Sequence, residues 1–166
     1  MNKVFFFFFL VGVGFSQTKE EVLRDAKITS KATLNSDFKT VFKHTYPPII
    51  KLMGGEDTAL SLVKGAFDSM KEQGLSFEKA DVISVSKIIE EQGQYRCYVE
   101  NNYEMKMPGV KIISKSYLLG IYDKDKKIWY FLEADKLKNS SLVDQILPDF
   151  KTSLNIPEND MKTEKI

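Results

Sequence analysis

The chain has 166 residues, a single cysteine, a single histidine, and 24 Lys+Arg against 23 Asp+Glu. This length suits one domain with one core. A lone cysteine excludes an internal disulfide, and near-zero net charge excludes nucleic acid as the main partner, because no basic excess is available to release counterions.

Met1-Asn2-Lys3 is a short positive start, followed by an apolar run from Val4 to Val13 that contains Phe5 to Phe9. Gly14-Phe15-Ser16 then places small residues ahead of Gln17, which is the layout of a secretory signal peptide over residues 1–16. An apolar run of about ten residues spans roughly 15 Å as a helix, about half a bilayer core. The sequence therefore predicts an exported chain, periplasmic or secreted, that begins near Gln17. No membrane attachment is expected after cleavage between Ser16 and Gln17. Only Lys3 among the charged residues lies in the signal, so the mature chain carries 23 basic and 23 acidic residues.

Residues 17–150 read as one domain that opens with helices. Thr18 with Glu20 and Glu21 marks a helix start, and Val22, Leu23 and Ala26 form a short apolar stripe. Asn35 or Ser36 is expected to cap a second piece carrying Phe38, Val41, Phe42 and Tyr46 at helical spacing. Pro47-Pro48 interrupts it, a short segment with Ile49 and Ile50 follows, and Gly54-Gly55 ends that segment. Glu56-Asp57-Thr58 opens a longer helix with Leu60, Val63, Phe67 and Met70 on one face, closed at Gly74.

Strands follow. The first runs from Phe77 to about Ile89. In the second, Tyr95, Cys97, Val99, Asn101, Tyr103, Met105 and Met107 alternate with polar neighbours, so one face is apolar and the other wet. Pro108-Gly109 fits the centre of a type II turn into a third strand, Val110 to Tyr122. Asp123 to Lys127 is a polar turn, and Ile128 to Leu132 is apolar on both faces. Short connections pair such strands antiparallel. A short helix is expected over Ser140–Leu147. Residues 151–166 are polar, hold Pro157 and lack periodicity, so they read as a flexible tail. Helices first and strands after give an α+β fold: helices packed on a curved four-strand antiparallel meander.

This order, with the Tyr46-Pro47 break, Gly54-Gly55 and a meander ending in Trp129-Tyr130-Phe131, resembles the NTF2-like (SnoaL-like) superfamily over about Ala26 to Leu147, in particular its exported members from Bacteroidetes-type bacteria. A cystatin-like sheet around one helix is the neighbouring alternative. The resemblance implies a strongly bent sheet around helices, with a pocket at the open end. It spans isomerases, dehydratases and hydrolases as well as non-enzymatic binding and assembly modules, so fold alone does not choose among them.

The ligand-pocket candidates are Asn101, Tyr46, Tyr103, Tyr117 and Trp129. Asn101 is the one strongly polar residue on the apolar face of its strand, and a buried amide needs a partner in the fold or in a ligand. The aromatics each offer an apolar body and a polar tip, although core packing is the commoner role. His44, the lone histidine, cannot build a multi-histidine metal site and is read as a surface or cap residue. Ser114 and Ser116 lack the glycine elbow of a serine nucleophile. Asp123-Lys124-Asp125 lacks the glycine and closing glutamate of a calcium loop. No catalytic residue, metal site or cofactor is expected.

Without an acid–base constellation, the expected function is a non-catalytic module binding a small apolar ligand or a protein partner. The rival is a small-molecule enzyme of isomerase, dehydratase or hydrolase type, using a pocket carboxylate and a tyrosine. A homodimer through the sheet, with Tyr98 in its interface, is a third reading. A buried Asp or Glu beside a Tyr in a pocket of a few hundred Å3 would favour the enzyme.

Overall fold

The computed structural model describes residues 18–166; the segment read as a signal peptide, with its cleavage point, lies outside the described residues. Helix α1 (Lys19–Leu34) begins at Thr18 with a reciprocal capping box: the Thr18 hydroxyl takes the Glu21 N–H, and the Glu21 carboxylate takes the Thr18 N–H. Asn35 ends this helix rather than starting the next. Helix α2 (Phe38–Lys43) is capped instead by Asp37, whose carboxylate accepts the Thr40 N–H. Tyr46 is not part of α2 but the cap position of α3 (Pro47–Leu52), whose first turn Pro47 and Pro48 suit.

Helix α4 (Glu56–Glu72) buries Ala59 and Phe67, whereas Met70, expected on the same face, is exposed. Gly74 closes it at φ +89°, where a Cβ would lie 2.8 Å from the Pro108 ring. The helix end thus rests on the next hairpin's turn.

Six strands form one open antiparallel sheet, not the four-strand meander expected: β1 (Ser76–Val85), β2 (Ile89–Glu91), β3 (Gln94–Met107), β4 (Val110–Asp123), β5 (Ile128–Glu133) and β6 (Asp160–Lys165). The order is β1-β3-β4-β5, with β2 also on β3 and β6 also on β4. The expected single strand Phe77–Ile89 is broken after Val85. Ser86 bridges the gap, its hydroxyl accepting the Tyr98 N–H at 2.9 Å. Glu78 and Ile83 are extra residues at register shifts along β1, and such bulges increase local twist.

Both faces of the sheet are covered around β4. On one face, Val22 and Ala26 of α1 pack on Cys97, Val99, Leu118, Tyr122, Trp129 and Phe131. On the other, Leu119, Ile121 and Leu132 lie under α5 (Ser140–Ile146) and Leu154. That explains why Ile128–Leu132 is apolar on both sides. Cys97 is fully enclosed, and burial pushes its thiol up to about 12.

The segment read as a flexible tail is docked. Leu154 is buried, Asn159 accepts the Tyr117 N–H at 3.0 Å, and β6 pairs with Val110–Lys115 of β4. Tyr98, expected on a wet face, packs in the second cluster beside Tyr117, so this chain's own C-terminal segment covers it.

Candidate functional site

A cavity of about 180 Å3 lies between the first sheet face and the N-terminal helices. Helix α1 contributes Thr29 and Thr33, one turn apart. Val41, His44 and Thr45 come from α2 and its end, and Ile49 comes from α3. The sheet contributes Tyr103 from β3, Leu118 from β4, and Phe131, Leu132 and Glu133 from β5. Lys136 comes from the 3-10 helix Ala134–Lys138 that follows β5.

The three threonine hydroxyls are already committed. Thr29 donates to the Asp25 carbonyl, Thr33 to Thr29 and Thr45 to Val41, each at 3.0 Å. Each bond runs four residues back along a helix, the usual local escape for a helical threonine. Their protons are unavailable to a ligand, so the polar chemistry of the wall comes from Glu133, Tyr103, His44 and Lys136.

Glu133 ends β5. Trp129, Phe131 and Glu133 alternate onto the same sheet face, and Glu133 is paired in register with Leu118. Its surface is substantially open, yet its carboxyl is closely surrounded by protein atoms. Burial raises its pKa above the ordinary carboxylate value; the Lys136 charge opposes the shift and Asp135 adds to it. Tyr103 is held well above the ordinary phenol value, chiefly by burial and then by the Glu133 charge. Among the described residues, neither the carboxyl nor the phenol has a hydrogen-bond partner.

The edge of β5 positions His44. Phe131 N–H donates to the His44 carbonyl at 2.7 Å, and Tyr46 N–H donates to the Phe131 carbonyl at 2.9 Å. The His44 ring then sits with Nδ1 3.2 Å from the Trp129 carbonyl. A carbonyl can only accept, so Nδ1 carries the proton and, in the neutral ring, Nε2 keeps its lone pair. His44 does end α2, as a cap residue would, but it is buried and not on the surface.

Of the five sequence candidates, Tyr103 lines this cavity. Asn101 lies two residues earlier on β3, only 1% exposed, directly opposite Ser116; its Nδ2 and the Ser116 Oγ both lack partners among the described residues. Trp129 is fully buried in the first core cluster. Its backbone N–H donates to Asp25 Oδ2 at 3.0 Å, and its indole N–H is unpartnered among the described residues. Tyr46 packs in the second cluster, on the other side of the sheet. Tyr117 lies in edge-to-face contact with Tyr98, their ring centres 5.8 Å apart.

The sequence reading missed Glu133 and the role of His44. Extending the alternation of Trp129 and Phe131 by one step reaches Glu133. No local pattern places His44, because its position depends on a bridge between Thr45 and Phe131.

Among the described residues, no three His, Cys, Asp or Glu side chains gather as a metal-binding group, and no helix is long and apolar enough to cross a membrane. Comparison with known proteins finds no matching family model, curated protein or solved structure.

Proposed function

We propose that this protein is an exported binding protein of NTF2-like type that holds a small organic molecule in the cavity between α1–α3 and the sheet. One observation carries the reading: an unpartnered carboxyl and an unpartnered phenol sit together on the wall of a largely apolar cavity. Crowding by protein atoms makes the Glu133 carboxyl harder to ionise, and a bound molecule that hydrogen-bonds to it offsets the loss of its remaining water. The volume is of the right order, since a cavity of about 150 Å3 accepts benzene. Helices ahead of the meander, with a cavity between them, support the NTF2-like assignment over the cystatin-like one. The layout of residues 1–16 supports export, and mass spectrometry of the exported chain should find Gln17 at its start. A retained Met1 in the membrane fraction would refute that part.

Phenol is a suitable neutral probe, with a ring for the apolar wall and a hydroxyl for Glu133. It should raise the melting midpoint of the natural chain in a concentration-dependent way; a ligand at a hundred times its Kd stabilises by about 2.7 kcal/mol. Val41→Phe, which fills the cavity, should abolish the shift. Equal shifts in both proteins, or none in either, would refute the reading.

A second reading is a proton-transfer enzyme of isomerase or dehydratase type. The upward shift of Glu133 favours it, because a carboxyl moved toward neutral pH is a better acid–base catalyst. Tyr103 would then donate a hydrogen bond to the developing charge. Enzyme-dependent deuterium exchange into a small ketone in D2O, lost in Glu133→Gln, is the expected signature. No exchange above buffer across a set of small ketones would count against it.

A further inference from the structure

Glu133 and Lys136 stand three residues apart on the same cavity wall, and no ion pair joins them. Their neighbours on the 3-10 helix are paired differently. Lys138 takes Asp135 at 3.1 Å and Glu158 at 3.2 Å, and Asp135 also accepts the Asn159 amide at 2.6 Å. The charges outside the cavity are therefore ion-paired, while Glu133 and Lys136 on its wall lie within electrostatic reach of each other without forming an ion pair. Beside them the wall holds the Tyr103 phenol, the His44 ring with only Nδ1 engaged, the apolar Val41, Ile49, Leu118 and Phe131, and three threonine hydroxyls whose protons are already donated.

An amine alone would gain from Glu133 but be repelled by Lys136, and a carboxylic acid would meet the reverse. A neutral molecule would leave the two charges with only each other and solvent. A molecule carrying both charges close together satisfies both, and its apolar remainder faces the apolar wall. Given the binding function above, we propose that the occupant is a small zwitterion, an α-amino acid with an apolar side chain, its ammonium at Glu133 and its carboxylate at Lys136. Tyr103 supplies a further hydrogen bond to either charged group. The volume of about 180 Å3 limits the side chain to a branched aliphatic group or a single ring.

Calorimetry on the purified chain compares leucine with isoamylamine, which lacks the carboxylate, and isocaproate, which lacks the ammonium. Leucine should bind about tenfold more tightly than either, the scale of one charge-assisted hydrogen-bonded contact. Glu133→Gln should weaken leucine about tenfold and leave isocaproate unchanged or improved. Lys136→Met should do the converse, leaving isoamylamine unchanged or improved. If either variant fails to fold, the ranking of the three probes on the natural chain decides. Either fragment binding as tightly as leucine overturns the zwitterion. If all three are silent while phenol binds, the zwitterion falls and the binding function stands. If phenol is silent too, both fall.

Discussion

At Glu133 a single raised carboxyl pKa ties the stability of the fold to pH. Its folded pKa lies above its ordinary value, so the folded state holds the proton more tightly than the unfolded chain does. The sign follows directly. Stability is highest below the ordinary glutamate range and falls as pH rises through the raised folded value. At neutral pH the ionised carboxyl is a liability that an amide would not carry. Glu133→Gln should therefore raise the melting midpoint of the ligand-free protein at neutral pH, and the gain should shrink as pH falls below the carboxylate range. A gain that is constant with pH would show that ionisation of Glu133 does not cause it, and a loss at neutral pH would show that the carboxyl has a partner in the fold. The same substitution is expected to weaken leucine, so one change separates stability from binding.

At the scale of elements, the β3–β4 hairpin was the most legible part of the chain. The alternation from Tyr95 to Met107 correctly puts Cys97, Val99 and Asn101 on one buried face, and Pro108-Gly109 makes the turn, with Gly109 at φ +75°. Alternation is a local signal, and this strand pair is set by local register. Non-local packing was not legible. His44 reaches the cavity because the end of α2 bonds to β5, and nothing within either segment encodes that contact. Asn101 and Ser116 are an unusual pair for so regular a hairpin, facing each other in register with an unpartnered donor and an unpartnered hydroxyl. Such groups cost about 1–3 kcal/mol each when buried unpaired. Asn101→Leu removes the amide at similar size and should raise stability by about 1 kcal/mol. A fall of that size or more in chemical unfolding would mean that the amide is bonded within the fold.

The molecule as a whole is completed by a segment that composition alone marks as dispensable. Residues 151–166 show no periodicity because β6 is exposed on every residue and its pairing uses backbone groups only. The segment before β6 is held by side chains of the β2–β3 turn. Gln92 donates to the Asp149 carbonyl at 2.8 Å, Glu91 accepts the Ser153 N–H at 2.8 Å, and the buried Arg96 donates to the Lys151 carbonyl at 2.9 Å. The Arg96 guanidinium also lies 4.8 Å from the centre of the Phe150 ring. Between β6 and β5 the edge of β4 is bare at Tyr117, and the Asn159 side chain takes its N–H. Ending the chain at Phe150 would remove Leu154 from the second cluster, leave Arg96 and Glu91 without these partners, and open the lower edge of β4. Losing one buried leucine side chain costs about 2–5 kcal/mol before the lost hydrogen bonds are counted. The truncated chain should therefore lose at least about 3 kcal/mol in urea unfolding, and its exposed β4 edge should promote association. An unchanged midpoint with a monomeric product would show that the segment only rests on the sheet. Most of the cavity wall lies on the opposite face, with only Leu132 and Ile49 shared with the second cluster, so phenol should still shift whatever fraction remains folded.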